Sequence, residues 1–269
     1  MRILFIGDIF GKPGREAVED WLSDYRRQEG IQFVVANSEN AAGGKGLTRA
    51  IAQEMFKAGV DALTGGNHSF QHHEIYDVYN QDNRLLRPAN LPPGVPGRGL
   101  GFYEIAATGK RVAVINLQGR AFMKPIDCPF RKADELVNEA AQITPMILID
   151  FHAEATSEKM AMAAYLDGRV TAVIGTHTHI PTADARISEA GTAAITDVGM
   201  TGPFDSVIGV ETAIVLEQLI HGLPVRHEVA RGRGRICALR LDVADDTGRV
   251  TLVEQIIYPE WGRKRKSEE

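Results

Sequence analysis

Short apolar segments alternate with amphipathic segments along the first two-thirds of the chain, and this alternation constrains the fold more than any other feature. The first predicted strands are Arg2–Ile6, Gln32–Ala36 and Asp61–Thr64. A helix is predicted to start near Pro13, and a second covers Thr48–Ala58 with Thr48 as its N-cap. Strands separated by helices at this spacing predict βαβ units and a parallel sheet. The sequence therefore predicts an α/β fold.

The rest of the chain continues this pattern, with one long interruption. Residues 87–101 hold four prolines and four glycines, which predicts a loop. The other predicted strands are Phe102–Ala107 and Arg111–Asn116 as a hairpin, Met146–Phe151, Val170–Ile174, and Arg235–Asp242 with Arg249–Tyr258 as an antiparallel pair. The other predicted helices are Ser69–Tyr79, Lys132–Gln142 and Ser157–Leu166. We expect residues 1–269 to form a single domain.

Composition excludes several classes of protein. The chain has 269 residues, of which 44% are hydrophobic, so it has enough apolar residues for a large core and is not a disordered chain. Cys128 and Cys237 lack the spacing of a cysteine zinc site, and neither a membrane span nor a signal peptide is expected. The net charge of −5 argues against broad coating of nucleic acid. We expect a cytoplasmic protein with a solvated basic tail at Arg263–Lys266.

Residue types that commonly bind metals follow five of the predicted strands. Because the carboxyl ends of parallel strands meet at one edge of a sheet, we expect these side chains to share one crevice. Each residue alone has an ordinary explanation as a turn former, a helix cap or a surface group, but their repetition at five strand ends favours a common site. The residues are Asp8, Glu39, Asn40, Asn67, His68, His152, His177 and His179.

The mixture of donors in this set indicates metal ions. Carboxylate, amide and imidazole groups together suit Mn, Fe, Co or Zn, whereas Mg and Ca favour oxygen alone. Seven or more ligands exceed what a single tetrahedral ion needs, so we expect two ions about 3.5–4 Å apart with a bridging carboxylate. Fe or Mn is the expected metal, and Zn also suits these donors.

Other sequence motifs fit less well. The segment Gly7–Lys12 is one residue too short for a phosphate-binding P-loop, and Pro13 stands where that motif needs Ser or Thr. The glycine spacing does not match a dinucleotide-binding motif, and no serine-hydrolase motif is present. The run His72–Glu74 could form a second metal patch, but on the predicted helix these side chains are expected to face solvent.

The ordered motifs Gly-Asp-x, Gly-Asn-His and Gly-x-His-x-His resemble those of calcineurin-like metallophosphoesterases, and their form here is similar to the bacterial YmdB-like family. The matching segments run in order over most of the chain: Gly7–Arg15, Ala36–Gly44, Gly65–His68, Asp150–Lys159, Gly175–His179 and Asp197–Pro203. The chain departs from the wider superfamily at Phe10 and Glu39, which stand where that superfamily usually has a histidine and a bridging aspartate.

This resemblance implies a fold, a reaction and a role for each residue. The implied fold is a four-layer α/β/β/α sandwich, and the implied reaction is hydrolysis of 2′,3′-cyclic nucleotides, such as 2′,3′-cAMP to 3′-AMP, by a metal-activated hydroxide. His68 is the implied catalytic residue that assists the leaving group. The ligands implied for one ion are Asp8, Glu39, Asn40 and His179, and those for the other are Glu39, Asn67, His152 and His177.

Several alternatives remain open at this stage. The same site could serve a phosphomonoesterase or a nuclease, and the protein could instead be a regulator that binds a nucleotide or an RNA-processing partner. Arg87, Asn90 and residues 201–204 are candidates for substrate contacts, with ordinary loop roles as the alternative. We also expect a homo-oligomer, since Leu91 and Leu100 are apolar loop residues.

Overall fold

The structure is a computed structural model that describes residues 1–106 and 108–260. The helices of these residues are α1 (Gly11–Glu29), α2 (Arg49–Ala58), α3 (Ile75–Gln81), α4 (Pro129–Ala141), α5 (Thr156–Tyr165) and α6 (Thr212–His221). The strands are β1 (Arg2–Ile6), β2 (Phe33–Asn37), β3 (Ala62–Thr64), β4 (Leu100–Ile105), β5 (Lys110–Gln118), β6 (Ile147–His152), β7 (Ala172–Thr176), β8 (Arg186–Ile187), β9 (Ala193–Ile195), β10 (Gly202–Pro203), β11 (Gly234–Val243) and β12 (Val250–Tyr258).

The first two helices begin where local sequence signals predict. Helix α1 contains Pro13 in its first turn and stops at Gly30, whose left-handed backbone lets its N–H donate to the carbonyl of Arg26. Helix α2 is capped by Thr48, whose hydroxyl accepts the N–H of Ile51 at 3.3 Å, so the predicted N-cap is confirmed. These signals are local, and the structure therefore reproduces them.

The strands form two sheets. In the first, β1, β2 and β3 are parallel, and β11 pairs antiparallel with β1 and with β12, while β10 pairs with the start of β11. In the second, the order is β4-β5-β6-β7-β9-β8, with the four central strands parallel and both edge strands antiparallel. The structure is therefore a mixed α/β fold, and the expected antiparallel pair β11–β12 and hairpin β4–β5 are confirmed.

Alternate residues of each strand enter different parts of the core. In β1, Ile3 and Phe5 join a cluster shared by both sheets, whereas Leu4 and Ile6 pack with residues of α1 and α2. In the second sheet, Leu148 joins the shared cluster, and its neighbours in β6 pack with residues of α4 and α5. Side chains of a strand point alternately to opposite faces, so both faces of these strands are buried. This explains why the strands read as continuous apolar runs.

Two expectations from the sequence are wrong. The helix predicted over Ser69–Tyr79 begins only at Ile75, because the Ser69 hydroxyl bonds the N–H and the carbonyl of Gly66 and closes a turn there. The strand ends do not lie at the edge of one sheet, since β6 and β7 belong to a different sheet from β1, β2 and β3. Strand periodicity shows which residues are buried but not which strands pair.

Helix α6 and the short strands β8, β9 and β10 were not predicted. The strands have two or three residues each, too few for a period of two to be visible. Helix α6 has no buried side chain, and Leu219, Ile220 and Leu223 of this region are strongly exposed, whereas Leu91 and Leu100 are half-buried. None of the helices that the structure describes is long and apolar enough to cross a membrane.

Candidate metal centre

The carboxyl ends of strands from both sheets meet at one place, and the predicted ligands lie there. Asp8 follows β1, Glu39 and Asn40 follow β2, and Asn67 follows β3. His152 is the last residue of β6, and His177 follows β7. The N–H of His177 donates to the Oδ2 atom of Asp8 at 3.2 Å across 169 residues of sequence. The crevice is therefore formed between two sheets rather than along one.

Three of these residues converge on the Nε2 atom of His152. This nitrogen lies 3.0 Å from Glu39 Oε1, 3.0 Å from His177 Nδ1 and 3.1 Å from Asn67 Oδ1. Carboxylate oxygens and imidazole nitrogens at such distances need a proton or a cation between them. We call Glu39, Asn67, His152 and His177 the His152 group.

The remaining predicted ligands form a second group beside the first. We call Asp8, Asn40 and His179 the Asp8 group. In this Asp8 group, Asn40 Nδ2 lies 3.1 Å from His179 Nε2, and Asp8 Oδ1 lies 4.0 Å from the same nitrogen. Glu39 joins the two groups, because its Oε1 atom accepts from Asn40 Nδ2 at 3.3 Å as well as contacting His152.

The electrostatics of the crevice show that one of its two buried carboxylates, Asp8, lacks sufficient positive charge. Burial raises the pKa of Asp8, and its buried Oδ1 atom has no hydrogen-bond partner among the described residues. Burial also favours the neutral form of Glu39, but His152 outweighs it and lowers the pKa of Glu39 to about 2. Burial opposes the charged form of His152 as well, but the carboxylates of Glu39 and Asp8 raise its pKa to about 9.

These observations fit metal ions. A buried carboxylate oxygen without a donor is costly, and a bound cation would satisfy it. A cation would also replace the proton that His152 otherwise holds, since histidine binds metals in its neutral form. The donors are oxygen and imidazole nitrogen, the set that borderline divalent ions favour. Burial lowers the pKa of His177 to about 3, so this ligand is already neutral.

Close approach of the ligands depends on glycine at one position. A Cβ atom added to Gly66 would lie 2.3 Å from Glu39 Oε2 and from the ring of His152. No side chain fits there without displacing two members of the His152 group. The Gly-Gly-Asn-His segment after β3 is therefore required by the packing of the site.

The segment that carries His177 and His179 has an unusual backbone. These histidines have φ angles of 99° and 69°, a region that residues other than glycine rarely adopt. Between them, Thr178 donates its N–H and its hydroxyl to Asp197 Oδ2, at 3.0 Å and 2.7 Å. Asp197 in turn forms a buried ion pair with Lys159 at 2.7 Å. This ion pair holds the two histidines in their strained positions.

His68 contacts the His152 group through its backbone and not through a hydrogen bond of its ring. Its backbone N–H donates to Glu39 Oε2 at 3.0 Å, while its half-buried ring has no hydrogen bond to the described residues. Burial lowers the pKa of His68 below its usual value, so the ring is neutral at neutral pH. A neutral imidazole has one donor and one acceptor nitrogen, and it is available to an incoming ligand.

The other candidate residues have structural contacts. Arg87 donates to the carbonyls of its own loop, at Pro88, Val95, Pro96 and Gly97. Buried Asn90 donates to the carbonyls of Gln118 and Asp127. Thr201 is buried and bonds the backbone of Cys237. Phe204 packs against the core, so none of these contacts points to a substrate.

The run His72–Glu74 does not form a metal patch or a helix. His72 bonds the carbonyl of Lys45, His73 stacks on Tyr76, and Glu74 accepts the N–H of Arg49. The basic run at residues 263–266 lies outside the described residues.

Three polar residues beneath the ligands were not predicted from the sequence. Asp150, Thr176 and Asn37 are fully buried, and they bond one another behind His152. Burial raises the pKa of Asp150 to about 6, against the hydrogen bonds that it accepts. One signal was visible in the sequence, because Asp150 is a charged residue within the most apolar predicted strand.

Comparison with known proteins identifies relatives along almost the whole chain. A family model described as YmdB-like protein matches residues 4–256. A 2′,3′-cyclic-nucleotide 2′-phosphodiesterase of Bacillus subtilis is 49% identical over 257 residues, covering 96% of this chain and 97% of that protein.

Two solved structures are also similar. A hypothetical protein from Thermus thermophilus has a TM-score of 0.90 and 43% identity, and the match covers 96% of this chain and 99% of that one. A structure described as a novel phosphatase from Mycoplasma pneumoniae has a TM-score of 0.89 and 33% identity, and the match covers 96% of this chain and 92% of that one.

Proposed function

Because this chain belongs to the YmdB-like protein family, we propose that it is a metal-dependent phosphodiesterase that hydrolyses 2′,3′-cyclic nucleotides, such as 2′,3′-cAMP to 3′-AMP. The observation that carries this proposal is the convergence of seven metal-type side chains from two sheets on one crevice. The name of the Bacillus subtilis relative supports the choice of substrate.

Two ions, Fe or Mn with Zn also compatible, are assigned to the two groups of side chains. The Asp8 group with Glu39 would hold one ion, and the His152 group would hold the other, with Glu39 shared. When bound, such ions acidify a water molecule and neutralise charge on the phosphate oxygens. Phe10 contacts His179 edge-on and cannot bind a metal, so Asn40 supplies the donor at this side of the site.

His68 is proposed as the residue that handles the leaving group. Opening a cyclic 2′,3′-phosphate leaves a ribose alkoxide, and a neighbouring imidazole either protonates it as a general acid, when the ring itself is protonated, or stabilises its charge by donating an N–H. The ring of His68 is half-buried beside Asn67 and is not bonded to a ligand, so it is free to meet the substrate. A hydrogen bond from its N–H to the developing alkoxide stabilises the negative charge without full proton transfer. This role suits a ring that is neutral at neutral pH.

The remaining parts of the proposal concern the whole protein. We infer a four-layer α/β/β/α sandwich in a single domain over residues 1–269, which is supported by a shared core between the sheets and a helical cluster on the outer face of each. The exposed apolar residues Leu219, Ile220 and Leu223 near α6 support a homo-oligomer. A cytoplasmic location and an RNA-processing partner stay predictions.

A second candidate is hydrolysis of phosphomonoesters at the same site. The Mycoplasma pneumoniae relative is described as a phosphatase, and the two reactions require the same ligands. The distinction is experimental, since a phosphomonoesterase releases inorganic phosphate from 3′-AMP, whereas the proposed enzyme stops there.

The test combines metal analysis with product identification. We expect about two metal ions per chain after purification or reconstitution with Fe or Mn, and 3′-AMP as the product from 2′,3′-cAMP. The variant His68→Ala is expected to keep its metal content and to lose roughly 10²–10⁴-fold in turnover. Loss of metal together with activity in that variant would contradict the role of His68. Bound metal without turnover of any cyclic nucleotide would contradict the proposed substrate.

A further inference from the structure

Each histidine assigned as a ligand has a second partner at its other ring nitrogen. His152 Nδ1 lies 3.0 Å from Thr176 Oγ1, and His177 Nε2 lies 3.0 Å from Glu154 Oε2. His179 Nδ1 lies 2.9 Å from the carbonyl oxygen of Ile208. Histidines that bind metals commonly donate their second N–H to such a partner, which fixes the tautomer and the ring orientation. The three partners here are chemically different.

Thr176 differs from the other two partners because its direction is not fixed. A carboxylate such as Glu154 and a carbonyl such as that of Ile208 only accept hydrogen bonds, so they require an N–H on the ring. A hydroxyl both donates and accepts. If Thr176 donated to His152 Nδ1, the proton of the neutral ring would be on Nε2, and the atom at the centre of the His152 group could not bind a metal.

Asp150 determines which way the hydroxyl points. Thr176 Oγ1 lies 2.7 Å from Asp150 Oδ1, and an ionised carboxylate accepts only. The second oxygen of Asp150 is already used, since it accepts from Asn37 Nδ2 at 2.9 Å and from the hydroxyl of Thr64. The single proton of Thr176 is therefore directed to Asp150, and its oxygen is left to accept from His152 Nδ1–H.

From this geometry we propose that Asp150 and Thr176 are positioning residues that hold His152 as the Nδ1–H tautomer and so make its Nε2 atom the metal-binding atom. The proposal rests on the proposed function, because it assumes that the His152 group binds an ion. The same carboxylate also joins β2, β3 and β7, which carry Glu39, Asn67 and His177 at their ends. Asp150 thus fixes both the ring of His152 and the strand ends around it.

The first measurement uses the wild-type protein. In ¹⁵N-labelled protein loaded with Zn²⁺ as a diamagnetic probe, NMR should show a proton on His152 Nδ1 and a metal-shifted Nε2 resonance. The opposite assignment, with the proton on Nε2, would overturn the proposal without any substitution and hence without any question of folding.

The second measurement compares variants by calorimetric titration of Mn²⁺ into metal-free protein. Thr176→Val removes the hydroxyl, and we expect a 10–100-fold loss of affinity at one of the two ions. Thr176→Ser keeps the hydroxyl and should restore wild-type binding. Thr171→Val is the matched control, because Thr171 is also a buried threonine whose hydroxyl is hydrogen-bonded, here to the N–H of Ile147, but it lies next to the other end of β7, away from the ligands. It should keep both sites.

The outcomes separate this inference from the proposed function. Wild-type affinity for both ions in Thr176→Val would overturn the positioning role, even if the enzyme hydrolyses 2′,3′-cAMP as proposed. The expected tautomer and affinity loss in a protein that turns over no cyclic nucleotide would support the positioning role while the proposed substrate fails. A wild-type protein that binds neither Mn²⁺ nor Zn²⁺ would overturn both.

Discussion

Replacing Lys159 tests how strongly the buried ion pair supports the histidine segment of the site. The Nζ atom of Lys159 lies 2.7 Å from Asp197 Oδ2, and their side chains are 3% and 0% exposed. In Lys159→Met the carboxylate keeps its hydrogen bonds to Thr178 and Gly199 but loses its counter-charge. Removing one partner of a buried pair costs about 3–5 kcal/mol, because the other charge is left uncompensated.

An exposed ion pair of almost the same length provides the control. Lys132 Nζ lies 2.6 Å from Glu135 Oε2, but those side chains are 28% and 63% exposed. Exposed pairs contribute about 0–1 kcal/mol, so Lys132→Met should change stability by less than about 1 kcal/mol. The two substitutions remove the same group at almost the same distance, and the expected difference of at least about 2 kcal/mol is due to burial.

Urea unfolding of the metal-free proteins, followed by circular dichroism, measures both changes in the free energy of unfolding. The double variant Lys159→Met with Asp197→Asn should be more stable than Lys159→Met alone, because no unpaired charge remains buried. If Lys159→Met lost no more stability than Lys132→Met, burial would not strengthen the ion pair between Lys159 and Asp197. Such a result would refute the role of this ion pair in holding His177 and His179.

Two further predictions concern backbone packing and metal content. Gly175→Ala should lower the free energy of unfolding by about 3 kcal/mol or more, because its Cβ would lie 1.7 Å from the Thr196 carbonyl oxygen. The open Gly43, with φ of 63° and no atom within 4 Å of an added Cβ, should lose only about 1–2 kcal/mol as Gly43→Ala; equal losses in urea unfolding would contradict this. Asp8→Ala should reduce the metal content from about two ions to about one, whereas His68→Ala keeps both; elemental analysis showing two ions in Asp8→Ala would remove Asp8 from the ligand set.

Much of the candidate site could be predicted because its residues follow strands, and the strands can be recognised in the sequence as short apolar runs. Asp8, Glu39, Asn67 and His177 each follow a short apolar run, and the structure brings them to one crevice. The candidates for substrate contacts stay predictions. Arg87 is a cation in a proline-rich loop. The loop folds back on itself, and the guanidinium of Arg87 donates hydrogen bonds to carbonyl groups of the same loop. Loop conformation depends on contacts that periodicity does not show.

The sequence by itself determined the local features of this protein. Short apolar runs specified the strands, Thr48 specified the start of a helix, and the residue types at strand ends specified the kind of ligand, because each depends on neighbours a few positions away. Only the tertiary structure decided that residues of both sheets share one core and that Asp150 and Thr176 lie behind His152. Those contacts join residues that are distant in sequence, and burial of apolar surface by the whole chain selects which of them form.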